Sequence, residues 1–334
     1  MIHNVTLALT LLLGSHLAAA PTPPAQPAHG PGGADYAHAR VVERAPIPGA
    51  RGYRLFTPAD PVPAVAPVVV FCHGWGALDP HHYQAWIDHL VRRGWIVVWP
   101  NYQDSLLTRG TEFLPNAIAG VRAAFAELAR GDVRADRSRV AILGHSAGGV
   151  LAAEIAAVAA REGLPAFRAV MPVEPGDGSQ DGRRRVTVPH GDLSPLPAET
   201  LLLVVVGADD HRAYQNLGLG FYDAAVRVPP ANKNVIELVS DDHGRPPLLA
   251  NHAAPSATRD GDATHPRLAL FGDFAHAGVV DALDWYGTWK LFDALADCAF
   301  YRRDCASALG GGPAQTFLGV WSDGVPVKPM RVLR

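Results

Sequence analysis

Short apolar runs alternate with amphipathic segments along most of this chain. Uninterrupted apolar runs are typical of strands buried on both faces of a parallel sheet. Further strands are expected between residues 36 and 56 and at 234–239. The five clearest runs occupy residues 68–72, 95–99, 140–143, 169–173 and 200–206.

Segments with helical periodicity separate the predicted strands. Strands that alternate with helices require crossover connections, which cover both faces of the sheet. The pattern therefore predicts an α/β fold with a mostly parallel central sheet and helices on both faces. Two long segments, 174–199 and 244–278, have little hydrophobic periodicity. A loop as long as the second is usually functional, for instance a lid, or contains a helix or strand that the pattern does not reveal. The predicted helices span residues 82–93, 116–130, 150–161, 213–225 and 281–296.

The most informative turn follows the run 140–143. It reads Gly144-His145-Ser146-Ala147-Gly148, and an Ala-rich helical segment comes after it. A strand, a Gly-x-Ser-x-Gly turn and a helix form a nucleophile elbow. The two glycines lack side chains that would collide with the neighbouring strand and helix. The pattern predicts that the Ser146 hydroxyl lies above the sheet edge at a helix N-terminus, where developing negative charge is favoured.

A nucleophilic serine needs a base, an acid that orients the base, and donors for an oxyanion. Asp209 and Asp210 follow the run 200–206, and on the residues alone either one could be the acid while the other caps the next helix. His243 comes shortly after the predicted strand 234–239 and precedes a glycine, which makes it the candidate base.

Three other histidines also follow the candidate acids. His252, His265 and His276 lie in the long segment 244–278, where a surface or lid role is expected instead. For the oxyanion, one donor is predicted to be the backbone N–H of Ala147, directly after the nucleophile. The glycine-rich loop at 73–76, after the strand 68–72, is the expected source of the second donor.

Together these motifs resemble those of the α/β-hydrolase superfamily, in its esterase branch of dienelactone-hydrolase-like, chlorophyllase-like and secreted polyester-hydrolase-like enzymes. They run from His73-Gly74-Trp75 through the elbow and Gly207-x-x-Asp210 to His243-Gly244. The resemblance implies an α/β-hydrolase fold, selects Asp210 over Asp209 as the acid, and assigns the second oxyanion donor to the N–H of Trp75. A serine nucleophile argues against dienelactone hydrolysis itself, for which the family uses cysteine.

The resemblance implies a serine esterase in which His243 takes the proton of Ser146 while Asp210 orients the imidazole. Such an enzyme needs no cofactor and no metal, and its substrate is a small or polymeric ester. Trp75 and Tyr102 favour an apolar or aromatic substrate. A peptidase or amidase with the same triad, and a binding module with an idle site, stay open as alternatives.

The N-terminus predicts export. Residues 5–17 are apolar and are followed by Ala18-Ala19-Ala20, which is typical of a signal peptide over residues 1–20 and too short for a comfortable membrane span. An uncleaved anchor is the alternative, and no stable membrane span is expected after processing. Residues 21–35, rich in Pro, Ala and Gly, are predicted to be a flexible or extended linker, and residues 36–334 a single catalytic domain.

Charge and cysteines refine this prediction. The chain carries 29 basic and 32 acidic residues with a net charge of −3, and without a long basic run it gives no sign of a nucleic-acid partner.

In an exported protein, Cys298 and Cys305 are expected to form a disulfide that closes a short loop. Cys72 lies in an apolar run and is expected to be a buried thiol.

Overall fold

The computed structural model describes residues 19–179, 187–211, 215–259 and 278–334. Nine strands form one sheet in the order β1-β2-β4-β3-β5-β6-β7-β8-β9. Strands β4, β3, β5, β6, β7 and β8 are parallel neighbours, whereas β2 pairs antiparallel with both β1 and β4, and β9 pairs antiparallel with β8. The strands are β1 Arg40–Glu43, β2 Tyr53–Ala59, β3 Val65–Cys72, β4 Ile96–Pro100, β5 Arg134–His145, β6 Ala169–Val173, β7 Leu201–Gly207, β8 Lys233–Leu238 and β9 Arg331–Val332.

Helices cover both faces of this sheet. The helices are α1 Gln84–Arg92, α2 Gly110–Leu128, α3 Ala147–Val158, α4 Gln215–Ala224, α5 Trp289–Tyr301, α6 Cys305–Ala308 and α7 Pro313–Thr316, and a π-helical turn, Leu283–Thr288, leads into α5. Alternate strand residues point to opposite sides: Val68 and Val70 pack with α2, α3 and α4, whereas Val69 and Phe71 pack with α1 and α5. Because both faces are buried, the strands have no polar face, which explains their uninterrupted apolar runs.

The predicted architecture is confirmed, and the differences concern element ends. Helix α2 begins at Gly110, six residues before the predicted start, and runs through Pro115. The prediction began after the proline because proline lacks an N–H and usually ends a helix. Phe113 is fully buried, and its packing holds the first turns of α2 in the core. Strand β9 and helices α6 and α7 are too short to produce a periodic pattern.

The N-terminal segment at 21–35 is not a free linker, which corrects the prediction. It has no helix or strand, but it lies against the domain along its length. The Pro21 carbonyl accepts the N–H of Arg245 at 2.8 Å, and the Pro24 carbonyl accepts the indole N–H of Trp285 at 3.2 Å. Near its end, the backbone N–H of Gly32 donates to the buried carboxylate of Asp293 at 2.8 Å. The segment is therefore a docked extension of the domain.

The cysteine predictions are confirmed. Cys298 and Cys305 form a disulfide that ties the end of α5 to the start of α6. Cys72 is a free thiol with no exposed surface, and burial raises its pKa. The predicted signal peptide lies almost wholly outside the described residues. Within the described part of the chain, no helix has both the length and the apolar character needed to cross a membrane.

Candidate active site

The turn at Ser146 has the strained geometry that its sequence predicts. Ser146 lies between β5 and α3 with φ 57° and ψ −124°, a left-handed conformation that is unfavourable for a residue with a side chain. A Cβ on Gly144 would lie 2.1 Å from the carbonyl oxygen of Gly148, and a Cβ on Gly148 would lie 2.1 Å from the carbonyl oxygen of Cys72. Both glycines are therefore required for the turn to pack against β3 and α3.

The imidazole that reaches Ser146 belongs to His252. Its Nε2 lies 3.0 Å from the Ser146 hydroxyl oxygen. Its Nδ1 lies 2.9 Å from Oδ2 of Asp210. The side chains of His252 and Asp210 are 8% and 1% exposed, so this chain of hydrogen bonds is shielded from bulk water.

His243, the base predicted from the sequence, lies elsewhere, and the prediction is corrected. Its Nε2 is 2.8 Å from Oδ2 of Asp323, and its side chain is 35% exposed. The cause is the path of the chain after β8. Asp241 and Leu248 form an antiparallel bridge, with both backbone hydrogen bonds at 2.9 Å, so residues 242–247 project outwards as a turn. His243 sits on this turn, where its ring pairs with Asp323 and not with Ser146.

After the bridge, the chain returns to the sheet edge. The Ala250 carbonyl accepts the backbone N–H of Asp209 at 3.0 Å, which brings the following residues beside the end of β7. His252 therefore arrives next to Asp210. The segment around His252 is rich in Pro and Ala and has no periodicity, so no local pattern indicated that this histidine meets Ser146. His265 and His276 lie outside the described residues.

The two candidate acids have different partners. Asp210 faces His252, whereas Asp209 accepts a hydrogen bond from the hydroxyl of Ser240. This matches the choice of Asp210 that the superfamily resemblance implies. A carboxylate only accepts hydrogen bonds, so Nδ1 of His252 carries the imidazole proton and Nε2 presents its lone pair to the Ser146 hydroxyl. The arrangement suits removal of the serine proton.

The glycine-rich loop at residues 73–76, the predicted oxyanion loop, lies beside Ser146. A Cβ on Gly74 would be 3.5 Å from Cβ of Ser146, so the backbone before Trp75 passes close to the serine. Ala147 is the first residue of α3, where backbone N–H groups lack acceptors within the helix. The structure thus brings both predicted donor residues to the two sides of Ser146.

Tyr102, by contrast, does not line the site. It has no exposed surface, and its hydroxyl donates to the carbonyl of His73 at 2.6 Å. The His73 ring stacks on the Tyr102 ring at 4.1 Å between centroids, and burial lowers the pKa of His73 to about 4. These two side chains support the oxyanion loop from inside the core, so Tyr102 carries no information about the substrate.

A second layer of buried polar side chains lies behind Ser146, His252 and Asp210. Glu174, directly after β6, places Oε2 3.8 Å from Nδ1 of His252 and 3.5 Å from Nε2 of His145. Burial, followed by the charge of Asp210, raises the pKa of Glu174 well above its usual range. Burial also lowers the pKa of His145 well below its usual range. The sequence prediction missed this layer; an acid directly after a buried strand was the signal for it.

One known protein family matches part of the chain. Residues 31–190 match the family model described as Chlorophyllase. The match spans slightly less than half of the chain, and it includes Trp75 and Ser146 but ends before Asp210 and His252. With the mostly parallel sheet and the elbow at Ser146, it decides the fold family. The chain has an α/β-hydrolase fold.

The match confirms the predicted resemblance to a chlorophyllase-like family, and this family suggests hydrolase activity on esters. No curated protein shows significant similarity to the chain. One group of side chains in the hydrolase has the composition of a metal site, because ligating atoms of His145, Glu174 and His252 lie within 4.8 Å of one another. Both ring nitrogens of His252 are already hydrogen-bonded, to Asp210 and to Ser146, so a metal bound by all three would have to displace one of these partners. The hydrogen bonds of His252 therefore favour a role in proton transfer.

Proposed function

We propose that the hydrolase is a serine esterase that cleaves carboxylic esters through an acyl-enzyme, with Ser146 as nucleophile, His252 as base and Asp210 as the orienting acid. One observation carries the proposal: His252 bridges Ser146 and Asp210 with hydrogen bonds of 3.0 and 2.9 Å in a largely buried site. The similarity to chlorophyllases favours esters as the substrate class.

In this mechanism the Ser146 oxygen forms a bond to the ester carbonyl carbon while Nε2 of His252 takes the serine proton. The carbonyl electron pair moves onto the oxygen. Collapse of the tetrahedral intermediate breaks the bond to the alcohol oxygen, which receives the proton from His252. Water then attacks the acyl-enzyme in the same manner, with His252 as base, and the carboxylic acid leaves. Asp210 stabilises the imidazolium formed in each half of the reaction.

The oxyanion of each intermediate needs donors that are already in place. The backbone N–H groups of Trp75 and Ala147 are proposed for this role, because they flank Ser146 on the oxyanion loop and at the start of α3. No metal or cofactor enters the proposed reaction.

The test has two parts. The purified protein is treated with a fluorophosphonate probe, which is expected to label Ser146 and to leave Ser146→Ala unlabelled. Hydrolysis of p-nitrophenyl esters and matched p-nitroanilides is then measured at equal acyl length. Ester cleavage that exceeds amide cleavage and disappears in Ser146→Ala supports the esterase. Faster amide cleavage supports a peptidase or amidase, and an unlabelled protein without turnover supports a binding module.

We also propose that the protein is exported and that its signal peptide is removed near residue 20. The disulfide between Cys298 and Cys305 favours an oxidising compartment. Cleavage after Ala20 would keep Pro21, whose carbonyl accepts a hydrogen bond from the domain. N-terminal sequencing of the protein recovered from the producing cells tests this proposal, since a mature chain that begins at Met1 would exclude cleavage.

A further inference from the structure

Tyr83 lies one layer behind the proposed site, at the end of the 3₁₀ turn Pro80–Tyr83. Its side chain is 2% exposed, and its hydroxyl contacts two segments that are far apart in sequence. The backbone N–H of Gly74 donates to this hydroxyl at 3.1 Å. Nδ1 of His145 lies 2.7 Å from it on the other side. Tyr83 therefore joins the oxyanion loop to the residue directly before the nucleophile.

The donors and acceptors fix the direction of this contact. A backbone N–H can only donate, so the Tyr83 oxygen accepts from Gly74 and its own proton is available for Nδ1 of His145. With a neutral imidazole, the His145 proton is then on Nε2, which faces Oε2 of Glu174 at 3.5 Å. The lowered pKa of His145 agrees with a neutral ring. Each group in this series therefore directs its donor N–H or O–H towards the next: Gly74 towards Tyr83, Tyr83 towards His145, and His145 towards Glu174.

The backbone of Gly74 needs a hydrogen bond that fixes its conformation more than the backbone of another residue would. Glycine has wide backbone freedom, and Gly74 directly precedes Trp75, whose N–H is proposed to bind the oxyanion. The absence of a side chain also allows the close approach, since a Cβ on Gly74 would lie 3.0 Å from the Tyr83 hydroxyl. A donor that must aim at the transition state depends on a fixed backbone.

We propose that Tyr83 is a positioning residue: its hydroxyl ties the oxyanion loop to the nucleophile elbow and holds the Trp75 N–H in the direction of the oxyanion. The inference rests on the proposed esterase function. It predicts that loss of the hydroxyl slows the chemical step and leaves substrate binding largely unchanged, because the oxyanion contact is made fully only in the transition state.

The variant Tyr83→Phe isolates this role. The ring would keep its packing against Phe71 and Trp99, with centroids at 5.2 and 5.7 Å, and only the hydroxyl is lost. Direct loss of an oxyanion donor costs roughly 100-fold or more in kcat, so misalignment of one donor is expected to lower kcat about 10-fold with KM within about twofold. The matched control is Tyr53→Phe, which removes another hydroxyl of a buried tyrosine, one that bonds Glu127 at 2.6 Å away from the site.

Both variants are measured with a p-nitrophenyl ester and with the fluorophosphonate probe, whose phosphoryl oxygen also needs the oxyanion donors. A fall of kcat and labelling rate in Tyr83→Phe, with Tyr53→Phe close to wild type, supports the positioning role. Equal values in Tyr83→Phe and wild type, or an increase of KM alone, would overturn it. A wild-type protein that neither turns over esters nor reacts with the probe overturns the proposed function, and the positioning role with it.

A second pair of variants keeps the test decisive if Tyr83→Phe does not fold. His145→Leu removes the acceptor of the Tyr83 hydroxyl, whereas the amide of His145→Asn lies close to the position of Nδ1 and can accept from it. The expected order of kcat is wild type, then Asn, then Leu, with similar KM. Equal kcat for the Asn and Leu variants would contradict a role that acts through this hydrogen bond.

Discussion

At the scale of single residues, the proposed chemistry depends on which histidine meets Ser146. His252→Ala is expected to lower kcat/KM for ester hydrolysis about 10⁵–10⁶-fold, because the base is lost and the oxyanion donors and substrate binding alone supply the remaining rate. His243→Ala is expected to stay within about threefold of wild type, since its partner is Asp323 on the surface. Steady-state kinetics of the two variants decide between these histidines, and the opposite order would return the role of base to His243.

The two neighbouring aspartates give a similar comparison. Asp210→Asn removes the carboxylate from Nδ1 of His252 and permits the wrong tautomer, so kcat is expected to fall about 10³–10⁴-fold. Asp209→Asn disturbs the contact with Ser240 and is expected to change kcat less than about fivefold. The same ester assay measures both. A larger loss in Asp209→Asn would show that this residue is the acid.

Glu174 gives a prediction about pH and stability. Its pKa is raised in the folded protein from an unfolded value near 4.5, so above that pH the folded state keeps a proton that the unfolded state releases. The folded state then binds more protons, and the contribution of Glu174 to the free energy of unfolding falls as pH rises above about 4.5, until the folded group also ionises.

The measurement compares urea denaturation of wild type and Glu174→Gln from pH 4.5 to pH 8. The glutamine cannot titrate, so the variant is expected to gain stability relative to wild type as pH rises. Asp281, whose burial raises its pKa to about 6, titrates in both proteins and cancels from the difference. A constant difference over this range would show that Glu174 is not protonated in the folded state.

At the scale of elements, the loops at the carboxyl ends of β3 and β4 present exposed apolar side chains beside the oxyanion loop. Leu78, Leu106 and Leu107 are 38%, 52% and 70% exposed. Leu106 lies against the oxyanion loop, because its Cδ2 would be 3.2 Å from a Cβ on Gly76. Exposed apolar side chains next to a site are typical of contact with an apolar ligand.

Substitution of this surface is expected to affect long substrates selectively. The double variant Leu106→Ser, Leu107→Ser should lower kcat/KM for p-nitrophenyl decanoate roughly 30-fold, since two apolar contacts of about 1 kcal/mol each are lost, and leave p-nitrophenyl acetate nearly unchanged. Val226→Ser is the matched control, because Val226 is 69% exposed and lies elsewhere. Equal effects on both esters would show that the leucines do not contact the acyl chain.

At the scale of the whole molecule, two features hold the terminal regions of the chain against the rest of the fold: the disulfide near the C-terminus and the docked N-terminal segment. The disulfide closes a loop between residues seven apart, for which chain entropy predicts a stabilisation of about 2.5 kcal/mol. Reductant is therefore expected to lower the free energy of unfolding of wild type by about this amount. The control variant Cys298→Ser, Cys305→Ser should not respond to reductant, and a response there would point to another cause.

The sequence predicted the order of elements and the elbow because both depend on neighbouring residues. A run such as 140–143 shows a buried strand directly, and the two glycines around Ser146 are required by contacts within a few residues of the turn. Asp210 was also found, since it lies three residues after the end of β7 at the edge where the site forms. Local steric contacts and hydrophobic periodicity depend on residues close to one another in sequence, so they can be predicted without knowledge of the fold.

The tertiary structure alone decided which side chains meet. His252, and not His243, meets Ser146 because the bridge between Asp241 and Leu248 places His243 on an exposed turn and the chain then returns to Asp210. Tyr83, 62 residues before His145 in the chain, meets it because β3 and β5 are adjacent in the sheet although they are not consecutive. Such contacts depend on the path of loops and on strand order, which no local pattern of apolar and polar residues records.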